Sequence, residues 1–118
     1  MSFLLMIVEK RGARAANSPE RARELYDSMM AYADALQREG VLLAAQSLRV
    51  DDHAVRISAA DGALQLRDGP FAEAKEMVGG FFWLNVADRD AAIAIAHRCP
   101  AVHWATVEVR ECAPCNAD

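Results

Sequence analysis

Apolar positions run without a break from Phe3 to Val8. An extended chain there puts Phe3, Leu5 and Ile7 on one face and Leu4, Met6 and Val8 on the other. That pattern predicts a strand buried on both sides. Ser18-Pro19-Glu20 then opens a helix, because the serine hydroxyl can accept a bond from a free backbone N–H and proline at the first helical position gives up nothing. Ala22, Leu25, Met29, Tyr32/Ala33 and Leu36 recur at spacings of three and four, and Gly40 supplies the C-terminal cap. A helix of about 20 residues is expected, with Asp34 and Arg38 as an exposed pair four apart.

Val41 to Leu48 reads as a second strand. Val55 and Ile57 alternate with Arg56 and Ser58, and Leu64 and Leu66 with Gln65 and Arg67. With Asp61-Gly62 between them, these runs predict a hairpin. Asp68-Gly69-Pro70-Phe71 breaks regular structure and a polar stretch follows through Glu76. Gly79-Gly80 is expected to open the next core strand, with Phe81 and Trp83 facing one way and Phe82, Leu84 and Val86 the other. Asp88 caps a second helix that runs to Arg98 and stops before Pro100. Val102 to Arg110 is expected as the last strand, with Ala105, Val107 and Val109 on its inner face. Without the hairpin the order is βαβ-βαβ, which predicts an α+β, ferredoxin-like sandwich with an inserted β-hairpin. Two helices cover only one sheet face, yet the first and third core strands are apolar on both. A homodimer with its two sheets packed face to face is therefore expected.

Composition narrows the picture. At 118 residues one domain is the default, expected over residues 1–111 with a flexible tail at 112–118. Of the apolar residues 24 are alanine, and along the chain these gather around the helices and turns while the bulky ones crowd the strands. No apolar run approaches the ~18–20 residues of a membrane span. The first eight residues lack a basic leader and are followed at once by Glu9-Lys10-Arg11, which favours a strand over a secretion signal. A net charge of −4 weighs against a nucleic-acid partner. Three cysteines imply no disulfide framework. A cytoplasmic protein with no cofactor, no metal and no membrane contact is expected.

Candidate chemistry centres on the 68–76 segment. Gly69-Pro70 forces a rigid bend, and Phe71 can anchor it in the core. Asp68 is the candidate general acid or base, with Lys75 or His103 orienting a substrate. Phe71, Glu73, Lys75, Glu76 and Trp83 are the candidate ligand-binding residues. In the alternative reading Asp68 caps the turn, and Glu73, Lys75 and Glu76 form a solvated cluster or salt bridges across a dimer. His103 shares the parity of Ala105, Val107 and Val109, so it is expected to face inward at the mouth of a pocket. His53 and His97 read as a solvated turn and a helix rim, and the three histidines lack metal-ligand spacing. Cys112-Ala113-Pro114-Cys115 lies past the last strand rather than at a helix start, where a redox pair would sit. Cys99 is expected to be packed. Phe81, Trp83 and Trp104 suit a core or interface better than a ligand cavity.

The run Asp68-Gly69-Pro70-Phe71-Ala72-Glu73-Ala74-Lys75-Glu76, followed by Gly79-Gly80-Phe81-Phe82, is specific. Together with Ala91-Ala92-Ile93, Cys99-Pro100 and Val107-Glu108-Val109-Arg110, it resembles the YCII-related domain family, in the branch named for its Asp-Gly-Pro-Phe motif. The resemblance spans Phe3 to Arg110 and implies a dimeric α+β barrel. Genes of this branch often lie beside sigma factors of the extracytoplasmic-function type, which implies a link to such a pathway. The wider superfamily includes small monooxygenases, muconolactone isomerase and heme-binding dismutases, so the fold leaves the chemistry open. One departure matters. Better-studied relatives carry a histidine on the first helix that is proposed to work with an aspartate. The matching position here is at or near Met29, and that helix holds no histidine. Two functions follow as expectations: a small-molecule-binding accessory or regulatory dimer, or a cofactor-independent enzyme using acid–base chemistry on a small organic substrate.

Overall fold

The computed structural model describes residues 2–118. Along the chain run β1 (Ser2–Lys10), α1 (Pro19–Arg38), β2 (Leu42–Ser47), β3 (Val55–Ala60), β4 (Ala63–Asp68), β5 (Glu76–Asn85), α2 (Arg89–His97) and β6 (Thr106–Glu111). Short 3-10 turns occupy Asp51–His53 and Pro100–His103. The main sheet is antiparallel with strand order β2-β5-β1-β6, while β3 and β4 form a separate two-stranded sheet. Two helices on an antiparallel sheet make this an α+β, ferredoxin-like fold.

Local chemistry explains the boundaries. Ser18 accepts from the Arg21 N–H and Asp88 from the Ala91 N–H, so each helix begins on a side-chain cap. Asp61 and Gly62 both sit at positive φ, the twist a two-residue hairpin turn needs. The core lies between the helices and one sheet face: Leu5, Phe82 and Leu84 pack against Tyr32, Leu36, Ile95 and Cys99. Tyr32 meets Phe82 edge-on with ring centroids 5.1 Å apart, and its hydroxyl donates to the Ile95 carbonyl at 2.7 Å. Across the rim Arg98 donates to both oxygens of Glu39, at 3.0 and 2.7 Å, clasping the C-terminal ends of the two helices.

Three expectations are corrected. β5 begins at Glu76 instead of Gly79, because Lys10, Glu9 and Val8 continue the ladder opposite Glu76, Met77 and Val78. Gly79 falls at the register shift in that ladder. The last strand begins at Thr106, because Pro100 starts a 3-10 turn through His103. Among the described residues the ion pair within α1 is Arg21–Glu24 at 3.2 Å, not Asp34–Arg38.

Among the described residues no helix packs on the second sheet face. There Leu4 lies opposite Trp83 and Arg110, Met6 opposite Phe81 and Glu108, and Val8 opposite Val78 and Thr106. Trp83 is 40% exposed. The molecule measures 48 × 43 × 18 Å, the thinness of a single sheet–helix pair of layers.

Candidate functional site

Arg11 leaves the end of β1 and reaches under the 69–75 loop. Its Nη1 donates to Oδ1 of Asp51 at 2.8 Å, and its Nη2 to Oδ2 of the same carboxylate and to the Phe71 carbonyl, the latter at 3.0 Å. Its Nε donates to the Ala74 carbonyl at 2.7 Å. The Phe71 N–H returns a bond to Asp51 Oδ2 at 3.2 Å. A two-pronged guanidinium–carboxylate pair of this kind fixes direction as well as distance. Hydrogen bonding from Arg11 pulls the Asp51 carboxyl down to about 2.

Phe71 is buried, in keeping with its anchoring role, but outside the main core. Its ring lies under the β3–β4 hairpin, with the Arg56 guanidinium 3.8 Å and that of Arg67 5.2 Å from the ring centroid. Glu73 gathers the same two arginines, pairing with Arg67 at 2.8 Å and Arg56 at 3.8 Å. The hydrogen bond from Arg67 lowers the Glu73 carboxyl to about 2. Gly69 is glycine for a steric reason: its N–H donates to the Ala54 carbonyl at 2.8 Å, and a Cβ built there overlaps the carbonyl oxygen of Asp51. Thus Phe71 and Glu73 hold the loop and the hairpin base together.

The remaining candidates are scattered. Asp68 is the last residue of β4, exposed opposite Val55, and its carboxylate joins no hydrogen bond or ion pair among the described residues. His103 is exposed on its 3-10 turn, not inward on a strand, because the turn begun by Pro100 resets the parity. Among the described residues no hydrogen bond links the His103 side chain with Asp68 or Lys75. Lys75 and Glu76 are exposed beside Lys10 and Arg11, around an open hollow of about 650 Å³. Trp83 stands on the helix-free sheet face, between Leu4 and Ala44. Cys99 is buried, which pushes its thiol up, while Cys112 and Cys115 are exposed. Among the described residues no three His, Cys, Asp or Glu side chains gather as a metal set would.

A more enclosed cleft of about 340 Å³ also borders Arg11. Its lining includes Arg11, Arg14, Val50, Asp52, His53 and Met77. Arg14 is pinned by Glu9 at 2.7 Å and by the Gly79 carbonyl at 3.1 Å. The side chains of Asp52 and His53 are exposed and make no hydrogen bond or ion pair among the described residues. Two guanidinium groups held by the Asp51 and Glu9 carboxylates, the apolar side chains of Val50 and Met77, and two unengaged polar groups line it together, a mixture that suits a small polar organic molecule. Little in the sequence signals this cleft. Arg11 and Asp51 lie 40 positions apart, and only the pairing of β1 with β5 brings the Arg11–Ala15 turn toward Met77.

Comparison with known proteins agrees with this fold. The YCII-related domain model matches residues 1–116, and the chain belongs to that family. No curated protein matches it. Among solved structures, the chain is similar to 5-chloro-2-hydroxyhydroquinone dehydrochlorinase from Burkholderia phenoliruptrix, in complex with 2,5-dihydroxybenzoquinone. That likeness has a TM-score of 0.56 and 14% identity, over 96% of this chain and 94% of the other, and it concerns the fold.

Proposed function

We propose that this chain is one subunit of a homodimeric α+β barrel that binds a small organic molecule, as an accessory or regulatory protein. The observation that carries this reading is the 340 Å³ cleft beside the Arg11–Asp51 pair, where Asp52 and His53 remain unengaged. Its size falls within the range of small-molecule sites. Lys75 and Glu76 border the adjoining hollow, which shares Arg11 with the cleft. The dimer is supported by the helix-free face of Leu4, Met6, Phe81 and Trp83, which a second sheet would cover. In this arrangement the β3–β4 hairpin is an insertion in the ferredoxin-like core.

Two observations favour a second reading, a cofactor-independent enzyme. Asp52 and His53 are acid–base groups at the rim of the same cleft, and a fold neighbour is a dehydrochlorinase of a chlorinated hydroxyhydroquinone. In that reading they take the role expected of Asp68 and His103. A thermal-shift screen over small hydroxylated aromatics and organic acids tests the binding claim. A compound that raises the melting temperature of the wild type, by linkage, and fails to do so with a folded His53→Ala variant supports the cleft. No shift with any compound, or an equal shift in the variant, contradicts it. Turnover of the bound compound by the purified protein assigns the enzyme reading instead.

A further inference from the structure

The β3–β4 hairpin is built with two unlike faces. Its register sets Val55 opposite Asp68, Ile57 opposite Leu66 and Ala59 opposite Leu64, so these six side chains share one face. Arg56 and Arg67, also opposite each other, belong to the other face and stack over Phe71. The base is held by the Gly69–Ala54 backbone bond and by Glu73. The first face is therefore presented in a fixed direction, and it is bare: Val55 is 54% exposed, Ile57 66%, Leu64 80% and Leu66 62%.

An isolated two-stranded hairpin is marginal in water and needs a surface to pack on. This one has little of its own chain to use, since every residue of both strands except Ala60 is exposed. The radius of gyration, 16.3 Å, exceeds the roughly 13–14 Å of a compact domain of this length. We infer that the hairpin is an arm whose Val55, Ile57, Leu64 and Leu66 face packs against the second copy of this chain. The inference rests on the dimer reading above and adds a second contact to it. The helix-free sheet face offers about fifteen side chains, whereas a stable interface uses roughly 20–30 per partner. The arm supplies apolar contacts toward that number, and twofold symmetry uses it twice. The alternative occupant, an anionic membrane surface, suits the charge poorly. The chain carries −4, and the arm's own arginines are paired with Glu73.

Sedimentation equilibrium on the full chain tests this, with wild type compared to Ile57→Asp/Leu66→Asp, whose folding is checked by circular dichroism. The expected result is a wild-type dimer and a dissociation constant raised at least about 100-fold in the variant. A dimer constant within threefold of wild type overturns the arm and leaves the sheet-face dimer standing. A monomeric wild type overturns both. So does a monomeric wild type that co-sediments with anionic phospholipid vesicles through this face, which would assign it to a membrane. Amide exchange on the wild type makes the test independent of the variant. Protection over residues 55–68 that rises as the protein concentration is carried across the measured dimer constant supports the arm, and protection unchanged across that constant overturns it.

Discussion

Arg11 holds Asp51 with both terminal nitrogens of its guanidinium, while its Nε grips the Ala74 carbonyl. This joins the end of β1 to two loops remote in sequence. Arg11→Ala or Asp51→Asn is expected to lower the melting temperature by several degrees and to speed amide exchange over residues 69–75. Arg11→Lys should not restore either, because an ammonium cannot make the two-pronged bond. Calorimetry on both single variants and the double variant checks the pairing. The double variant should lose less than the two singles combined.

The same pair sets an acid limit. Asp51 sits near 2 because Arg11 hydrogen-bonds its charged form, below the 3.8 of a free aspartate. A carboxyl lowered in the folded state stabilises the fold above about pH 4, and that contribution is lost as pH falls toward 2. Glu73, also near 2, follows the same sign, but its ion pair with Arg67 is more than half exposed and screened by salt. Urea denaturation at pH 7, 4, 3 and 2 is expected to show stability falling below pH 4, with a shallower fall in Asp51→Asn.

Phe71 anchors a satellite cluster apart from the main core. Phe71→Ala is expected to cost about 3 kcal/mol, the low end for removing a buried phenylalanine. The loss should appear mainly as proteolysis and amide exchange across residues 55–75, with the sheet and helices keeping their protection. Gly69→Ala is expected to disturb the same segment, since its Cβ overlaps the Asp51 carbonyl.

In the main core, Tyr32→Phe removes the bond to the Ile95 carbonyl and should cost about 1 kcal/mol. Leu36→Ala, which empties a fully buried position, should cost about 2–5 kcal/mol. Urea midpoints separate the two: the first should shift the midpoint slightly and the second by several times as much.

What the sequence made legible was local. Ser18, Asp88 and the Asp61-Gly62 pair act within a few residues, and each sits where its chemistry predicted. The burial of Phe71 and Cys99 was legible too. The errors came where tertiary pairing overrides local pattern. Glu76 and Met77 look like loop until β1 pairs with them, and His103 reads as strand until Pro100 starts a 3-10 turn. The Arg11–Asp51 pair was hidden for a plain reason: one sequence carries no signal that joins two charges 40 positions apart. With that pair unseen, the cleft containing Asp52 and His53 was unseen as well.

The binding cleft is tested most directly by backbone amide NMR during titration with whichever compound gives the largest thermal shift. The largest chemical-shift changes should fall on Gly12 to Ala15, Val50 to His53 and Met77, the residues around the 340 Å³ cleft. Changes confined to β1 and β5 around Met6 and Trp83, with the cleft residues unmoved, would contradict it.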